Sequence, residues 1–338
     1  MKKIVYTLLI SLALSLTSCQ EQTNDLYLDF NKTNYPSISF DKSKYFSNLE
    51  TLSLEYDSTR YTILGTRIYP TKNDIIAFSY RDINVFSKQG RTPRILAANG
   101  RGPGEIGTLL DLKLNNDETK VFCLQDNIAT INVYDLQQFK MVEQIPIASN
   151  YAIEGFDVVN DSTLICFPRL STYSKTLAFT QDLKGNIIEK IDLDITIPDK
   201  LPYIGEPVMA KTDNGYLFMS NILNTLYYVE SDCSKYQKVL TVSENTDQSK
   251  FVKYRLLFPD NNRFVFFVQL NKLQDDGSGA LTLLADSENF YEIDMVKKTI
   301  SSITVDEETA LHNMSFYNPQ KVVINHPTKQ NTIYIREL

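Results

Sequence analysis

The sequence predicts an all-β fold: a six-bladed β-propeller with four antiparallel strands per blade, its ring closed by an N-terminal strand. Three observations predict it. Short runs rich in Val, Ile, Phe, Tyr and Thr alternate with clusters of Asn, Asp, Gly, Ser and Pro, the pattern of strands and turns. A hydrophobic strand ending in a polar residue and a tight turn recurs six times, at Ser87, Asp135, Asp182, Glu230, Asp294 and Arg336, with intervals of 48, 47, 48, 64 and 42 residues. A period in the forties that holds about four short strands is the mark of propeller blades. Finally, the sixth repeat has no room for an outer strand before Leu338, whereas Leu49 to Glu55 is strand-like and unassigned.

The repeated strands are Ile83–Ser87, Ile131–Asp135, Leu177–Asp182, Leu226–Glu230, Phe290–Asp294 and Thr332–Arg336. Each follows another strand-like run, at 74–79, 120–125, 162–167, 215–219, 263–269 and 321–325. The first five precede an outer strand, at 91–97, 139–147, 186–193, 236–243 and 299–305. Pairing Leu49–Glu55 with the sixth unit supplies its missing strand and hides edges that would otherwise invite aggregation. The long fifth interval reflects Leu270 to Ala280, which contains Asp275-Asp276-Gly277-Ser278-Gly279 and reads as a loop insertion.

The N-terminus sets the address. Lys2 and Lys3 precede an uncharged apolar stretch from Ile4 to Leu16, shorter than the roughly 20 residues a membrane span needs. A basic start and a short apolar core read as a secretory signal. The stretch ends in Leu16-Thr17-Ser18-Cys19, which resembles a bacterial lipobox. The resemblance implies that residues 1–18 are removed and that Cys19 is lipidated and holds the chain at the cell envelope. It also implies outer-membrane sorting, because Gln20 and not an aspartate follows the cysteine, and it leaves periplasmic and surface display both open. Residues 19–45 are polar with scattered aromatics and are expected to form a tether and lead-in. Residues 46–338 are expected to form the propeller, with no second domain.

The chain carries a net charge of −7, which becomes −9 once Lys2 and Lys3 are removed with the signal. An acidic balance argues against a nucleic-acid partner, which calls for a basic stripe. Beyond Cys19 three cysteines remain, at 123, 166 and 233, so no complete disulfide framework can form. Cys123 and Cys166 sit in apolar runs and read as buried free thiols. No CxxC pair points to zinc.

The strongest local motif is Asn99-Gly100-Arg101-Gly102-Pro103-Gly104-Glu105-Ile106. Followed by Val121–Asn127 and Ile131–Asp135, it resembles the six-bladed propeller lipoproteins of Bacteroidota, which are similar to NHL and TolB-like propellers. The resemblance covers the mature chain in architecture and residues 99–135 in motif. It implies fold and export, and no particular activity.

Glycines and Pro103 suit this loop to carry the chain from one blade to the next. Its exposed amides could also receive an anion, although no GK[ST] follows to make it a phosphate loop. In a propeller, the connections between blades and those joining second to third strands share one face. That face gathers the candidate ligand-binding residues Arg81, Arg101, Glu105, Asp126, Asn127, Arg169, Tyr173, Asn221, Asn224 and His326, beside Tyr80 and Asp82. Charges, amides and tyrosines suit a polar ligand such as a peptide or glycan. With only His312 and His326, and no GxSxG elbow, histidine-rich metal sites and Ser-His-Asp groupings are hard to build. The expected function is a lipid-anchored binding or scaffold module that takes a polar ligand or partner protein and needs no cofactor. The alternative is a divalent-metal-dependent hydrolase or lyase acting on a carbohydrate or lactone, with Glu105, Asp126, Asn127 and Asn221 around an ion at the channel mouth.

Overall fold

The structure is a computed structural model and describes residues 25–32, 34–41, 50–55, 67–78, 82–100, 102–125, 130–197, 207–247, 249–259, 261–275, 281–305, 314–318, 321–325 and 332–337. Three strands come before the first complete blade: β1 (Leu26–Leu28), β2 (Ser37–Ser39) and β3 (Glu50–Ser53). Blade 1 is β4 (Arg67–Pro70), β5 (Asp74–Phe78), β6 (Ile83–Ser87) and β7 (Arg94–Ala97). Blade 2 is β8 (Leu109–Leu114), β9 (Lys120–Gln125), β10 (Thr130–Asp135) and β11 (Lys140–Pro146). Blade 3 is β12 (Ile153–Asn160), β13 (Thr163–Pro168), β14 (Thr176–Asp182) and β15 (Ile187–Asp192). Blade 4 is β16 (Val208–Lys211), β17 (Gly215–Met219), β18 (Thr225–Glu230) and β19 (Tyr236–Val242). Blade 5 is β20 (Lys250–Leu257), β21 (Arg263–Asp275), β22 (Leu281–Asp294) and β23 (Thr299–Thr304). Blade 6 is β24 (Met314–Asn318), β25 (Lys321–Asn325) and β26 (Thr332–Glu337), completed by β3.

Each blade is an antiparallel meander, and β3 pairs antiparallel with β26 through Leu52↔Ile333 and Thr51↔Tyr334. The ring is therefore closed by the N-terminal strand. Past β3 the chain also docks on blade 1: the Glu55 amide donates to the Gly90 carbonyl at 2.7 Å, and the Thr92 amide donates to Glu55 Oε2 at 2.8 Å.

The burial pattern explains why the second strands are continuous apolar runs instead of alternating ones. Each blade is sandwiched between two others, so alternate side chains of one strand serve two different cores. In β9, Val121 and Cys123 pack toward blade 1 while Phe122 and Leu124 pack toward blade 3. In β13, Leu164 and Cys166 face blade 2, and Ile165 and Phe167 face blade 4. The same split recurs in β17, where Tyr216 and Phe218 meet blade 3, and Leu217 and Met219 meet blade 5. Outer strands have only one buried side or less, and β15 leaves most of its residues exposed. Cys123 and Cys166 are buried and free, as their apolar runs imply, and Cys233, in a polar turn, is buried and free as well.

The polar residue that marks the repeat has a local cause. Asp135 Oδ1 accepts the amides of Gln137 and Gln138, Asp182 Oδ1 those of Lys184 and Asn186, and Asp294 Oδ1 those of Val296 and Lys297. The side chain thus satisfies the open amides of the turn between third and fourth strands. Each of these turns in blades 1–5 also holds a residue at positive φ: Gly90 and Thr92, Phe139, Gly185, Cys233 and Lys298.

Two expectations need correction. Leu270 to Asp275 is not loop: it continues β21, which pairs with β22 out to Asp275↔Leu281 across a register shift at Leu270/Asn271, and residues 276–280 lie outside the described residues. Each strand simply continues its own extended conformation, which keeps the backbone paired at no cost in loop entropy. The lead-in, expected as tether and entry, contributes two further strands. β1 adds parallel to the outer edge of β19, and β2 adds parallel to that of β23, giving blades 4 and 5 a fifth strand. Leu28 is 0% exposed and packs with Val242 and Tyr254 in the core between those blades.

This burial makes the lead-in part of the fold. Leu28→Ala should lower unfolding free energy by about 2–4 kcal/mol in denaturant titrations. A change below about 0.5 kcal/mol, typical of an exposed site, would show β1 to be peripheral.

Candidate functional site

The meander fixes which residues share a face. Connections between second and third strands, and those from an outer strand to the next blade, leave every blade at the same end, here called the upper face. The inner strands β4, β8, β12 and β16 line the channel below it.

Buried charges on these inner strands are paired across blades. Arg67 of β4 lies 3.3 Å from Asp111 of β8, whose other oxygen meets Lys113 at 3.0 Å. Asp111 Oδ1 also accepts the Leu112 amide. Two seams on, between blades 3 and 4, Asp157 of β12 takes Lys211 of β16 at 3.0 Å and the Tyr216 hydroxyl at 2.9 Å. Burial pushes the Tyr69 hydroxyl far above the ordinary tyrosine range, and the charges of Asp111 and Asp157 add to the effect.

The upper end of the seam between blades 3 and 4 differs. Glu154, at the top of β12, has a side chain only 1% exposed. Ser220, just past β17, donates its hydroxyl to Glu154 Oε2 at 3.0 Å. Arg169, in the connection between β13 and β14, brings Nε to 3.5 Å from Oε1, an ion pair without hydrogen-bond geometry. Among the described residues, no donor reaches Glu154 Oε1 or the buried Asn221 Oδ1. Burial raises the Glu154 carboxyl above its ordinary value, against the opposing pull of Ser220 and Arg169. Next to it, a Cβ on Gly155 would lie 2.9 Å from Met209 Sδ of blade 4, so a larger residue there would require the methionine to shift.

Four other expected residues can be placed. Glu105 turns back into its own loop, where Oε2 accepts the Gly102 amide at 2.6 Å. A Cβ on Gly100 would lie 1.9 Å from that oxygen, so the glycine is needed to seat the carboxylate. The loop is tied at its base by Gly100 N–H to the Ile106 carbonyl and by Gly107 N–H to Gln125 Oε1. Asn224 closes the β17–β18 connection onto β19, giving its side-chain amide and receiving the main-chain amide at Val242, both at 2.8 Å. Tyr173 is 99% exposed, at the tip of a turn closed by reciprocal bonds between Ser171 and Ser174. Asn221 and Arg169 come together at Glu154. Asp82, on the same face, accepts the Asn99 amide at the entrance to the glycine-rich loop.

Cys19, Arg81, Arg101, Asp126, Asn127 and His326 lie outside the described residues. Among the described residues, no three His, Cys, Asp or Glu side chains converge as a metal site would. Glu154 and Ser220 were not among the expected residues. Their signal is a carboxylate and a hydroxyl at the upper ends of strands whose other positions are apolar.

Two outcomes follow. Gly100→Ala should displace Glu105 and cost about 1–2 kcal/mol, the worth of a charge-assisted hydrogen bond. Because both changes break the same contact, a cycle with Glu105→Ala should be strongly sub-additive, and additive losses would mean that Glu105 does not staple the loop. The raised Glu154 value means the fold prefers the neutral acid, so its contribution is present below the unfolded glutamate value and lost as pH rises through the folded one. Glu154→Gln should therefore gain on the wild type in thermal midpoint between about pH 4 and pH 7, and a parallel pair of curves would contradict the burial effect.

Comparison with known proteins agrees with this architecture. A family described as a 6-bladed beta-propeller, DUF5128, matches residues 39–252. A Bacteroides fragilis protein described as exported has the same fold with a TM-score of 0.59, at 11% identity over 92% of this chain and 98% of that one. YCF48 bound to D1 peptide gives a TM-score of 0.45 at 10% identity, over 90% of this chain and 98% of that one. The Cps50 (Swd1) propeller domain of Myceliophteria thermophila gives 0.43 at 8% identity, over 86% and 98%. Such identities speak to fold alone. No curated protein matches the chain. With the family match spanning more than half of its length, the chain belongs to the 6-bladed beta-propeller family DUF5128.

Proposed function

We propose that this chain is an exported lipoprotein, anchored through Cys19, whose propeller serves as a binding or scaffold module presenting its upper face to a polar ligand or partner protein. The observation that carries the reading is the rim of blades 3 and 4. Tyr173, 99% exposed, is held on a hydrogen-bonded turn, and Arg169, 61% exposed, covers a buried carboxylate. Exposed tyrosine and arginine on a rigid support are the residue types that anchor recognition, since they offer large contact area for little lost side-chain freedom. A peptide, a glycan or a folded partner suits this mixture of aromatic and charged groups.

Export and anchoring are supported by the sequence features around Leu16-Thr17-Ser18-Cys19, and Gln20 favours the outer membrane. The acyl chains would supply the membrane affinity that an acidic domain lacks.

Two experiments test the proposal. Cys19→Ala should abolish incorporation of labelled palmitate and move the protein out of the membrane fraction; retention in that fraction would refute the anchor. A photoreactive residue at position 173, on the upper face, should cross-link to an envelope component, and one at position 138, on the opposite face, should not. Arg169→Ala should weaken the position-173 product several-fold. Equal products from both faces, or none from either, would overturn the binding-module reading.

A further inference from the structure

We propose that the upper seam between blades 3 and 4 is a recognition pocket for a donor-only cation, the ammonium or guanidinium of a ligand side chain, with Glu154 and Asn221 as its acceptors and Arg169 as a displaceable cover. This deepens and rests on the reading of the upper face as a binding surface.

The argument starts from hydrogen-bond accounting. Buried polar atoms in folded proteins nearly always have partners, and leaving one open costs about 1–3 kcal/mol, more if it is charged. Here Glu154 Oε1 and Asn221 Oδ1 are both buried without a donor among the described residues, and both are acceptors. The other acids of the inner strands do not behave so. Asp111, between blades 1 and 2, and Asp157, lower on this same seam, are each held by cations of the inner strands, and Asp157 by the Tyr216 hydroxyl as well. Among the described residues, Glu154 is the buried carboxylate left with an open oxygen.

The geometry also fixes the acceptors in place. Ser220, from the next blade, holds the Glu154 carboxylate through its hydroxyl. A preorganised pair of acceptors favours a group that only donates, and ammonium and guanidinium have three and five N–H donors with no acceptor. Arg169 supplies charge compensation from outside, at 3.5 Å and without a hydrogen bond, on a side chain 61% exposed and free to swing toward solvent. Tyr173, four residues on, stands at the rim where the rest of such a ligand would emerge. The net charge of −7 draws cations toward the protein over longer range.

The test uses the mature lipoprotein in detergent, with N-acetyl-lysine-methylamide and N-acetyl-arginine-methylamide as probes. Nα,Nε-diacetyl-lysine-methylamide and choline, which lack cationic N–H donors, serve as controls at matched ionic strength. Binding is read by thermal midpoint and by the carbon-13 shift of the Glu154 carboxyl. At least one cationic probe should raise the midpoint and move the Glu154 signal, and the controls should do neither. The probe that does so distinguishes an ammonium from a guanidinium partner. Glu154→Gln should weaken binding at least ten-fold. Arg169→Ala should tighten it, since the competing internal cation is gone, an outcome that a purely structural ion pair does not predict. Equal responses to controls, unchanged affinity in Glu154→Gln, or no binding to both wild type and Arg169→Ala would overturn the pocket. So would a bridging water on Glu154 and Asn221 that a cationic probe does not displace. Failure of the probes with face-specific cross-linking at 173 intact would remove the pocket and leave the binding module standing. Probe binding without that cross-linking would do the reverse.

Discussion

A sheet with apolar side chains on both faces cannot stand alone, and the rest of this molecule follows from that constraint. The second strands β5, β9, β13, β17 and β21 bury alternate residues in two different seams, so each blade needs a neighbour on either side. A row of such blades ends in two unsatisfied faces, and only a ring removes both. Closure then cannot be left to contacts between the first and last blades alone. β3 makes it a backbone hydrogen-bonded ladder with β26, and the continuation through Glu55 bonds to the turn of blade 1. N- and C-terminal segments thereby become one sheet.

The same constraint accounts for what was legible in the sequence. Runs such as Val121–Leu124 and Ile165–Phe167 stand out because burial on both faces forbids polar alternation. The repeat is sharp at Asp135, Asp182 and Asp294 because each of these residues caps a turn that recurs with the blade. The lead-in strands escaped notice for the opposite reason. β1 and β2 are three residues long, and both add in parallel to an edge already present, which requires no turn signal nearby. The hairpin of blade 5 was misjudged because Asp275-Asp276-Gly277-Ser278-Gly279 marks the tip of a turn without revealing that the strands on each side remain paired up to it.

Site residues were legible only to the extent that topology dictates them. Assigning connections to one face brought Arg169, Tyr173, Asn221 and Asn224 to the right end of the ring. It could not distinguish Asn224, spent on closing its own loop, from Asn221, whose side-chain oxygen is left open. Glycine spacing marked the loop at 99–106 as special, yet Glu105 proves to be the residue for which the glycines make room. Glu154 was invisible because Ile153-Glu154-Gly155-Phe156-Asp157 reads as any half-buried strand. Its burial depends on Ser220 of the next blade, which meets the carboxylate.

The three acids of the inner strands show how one scaffold can hold charges for different ends. A buried carboxylate is tolerated when cations and donors compensate its lost hydration, and removing one such partner leaves an uncompensated charge. Asp111 and Asp157 meet that condition with ligands from the adjacent blade, so their charge ties seams together. Glu154 meets it only partly, with one oxygen satisfied and its cation held at arm's length on an exposed side chain. Arg169 supplies the remaining compensation only from outside, so this seam keeps a buried acceptor that a better-placed donor could claim.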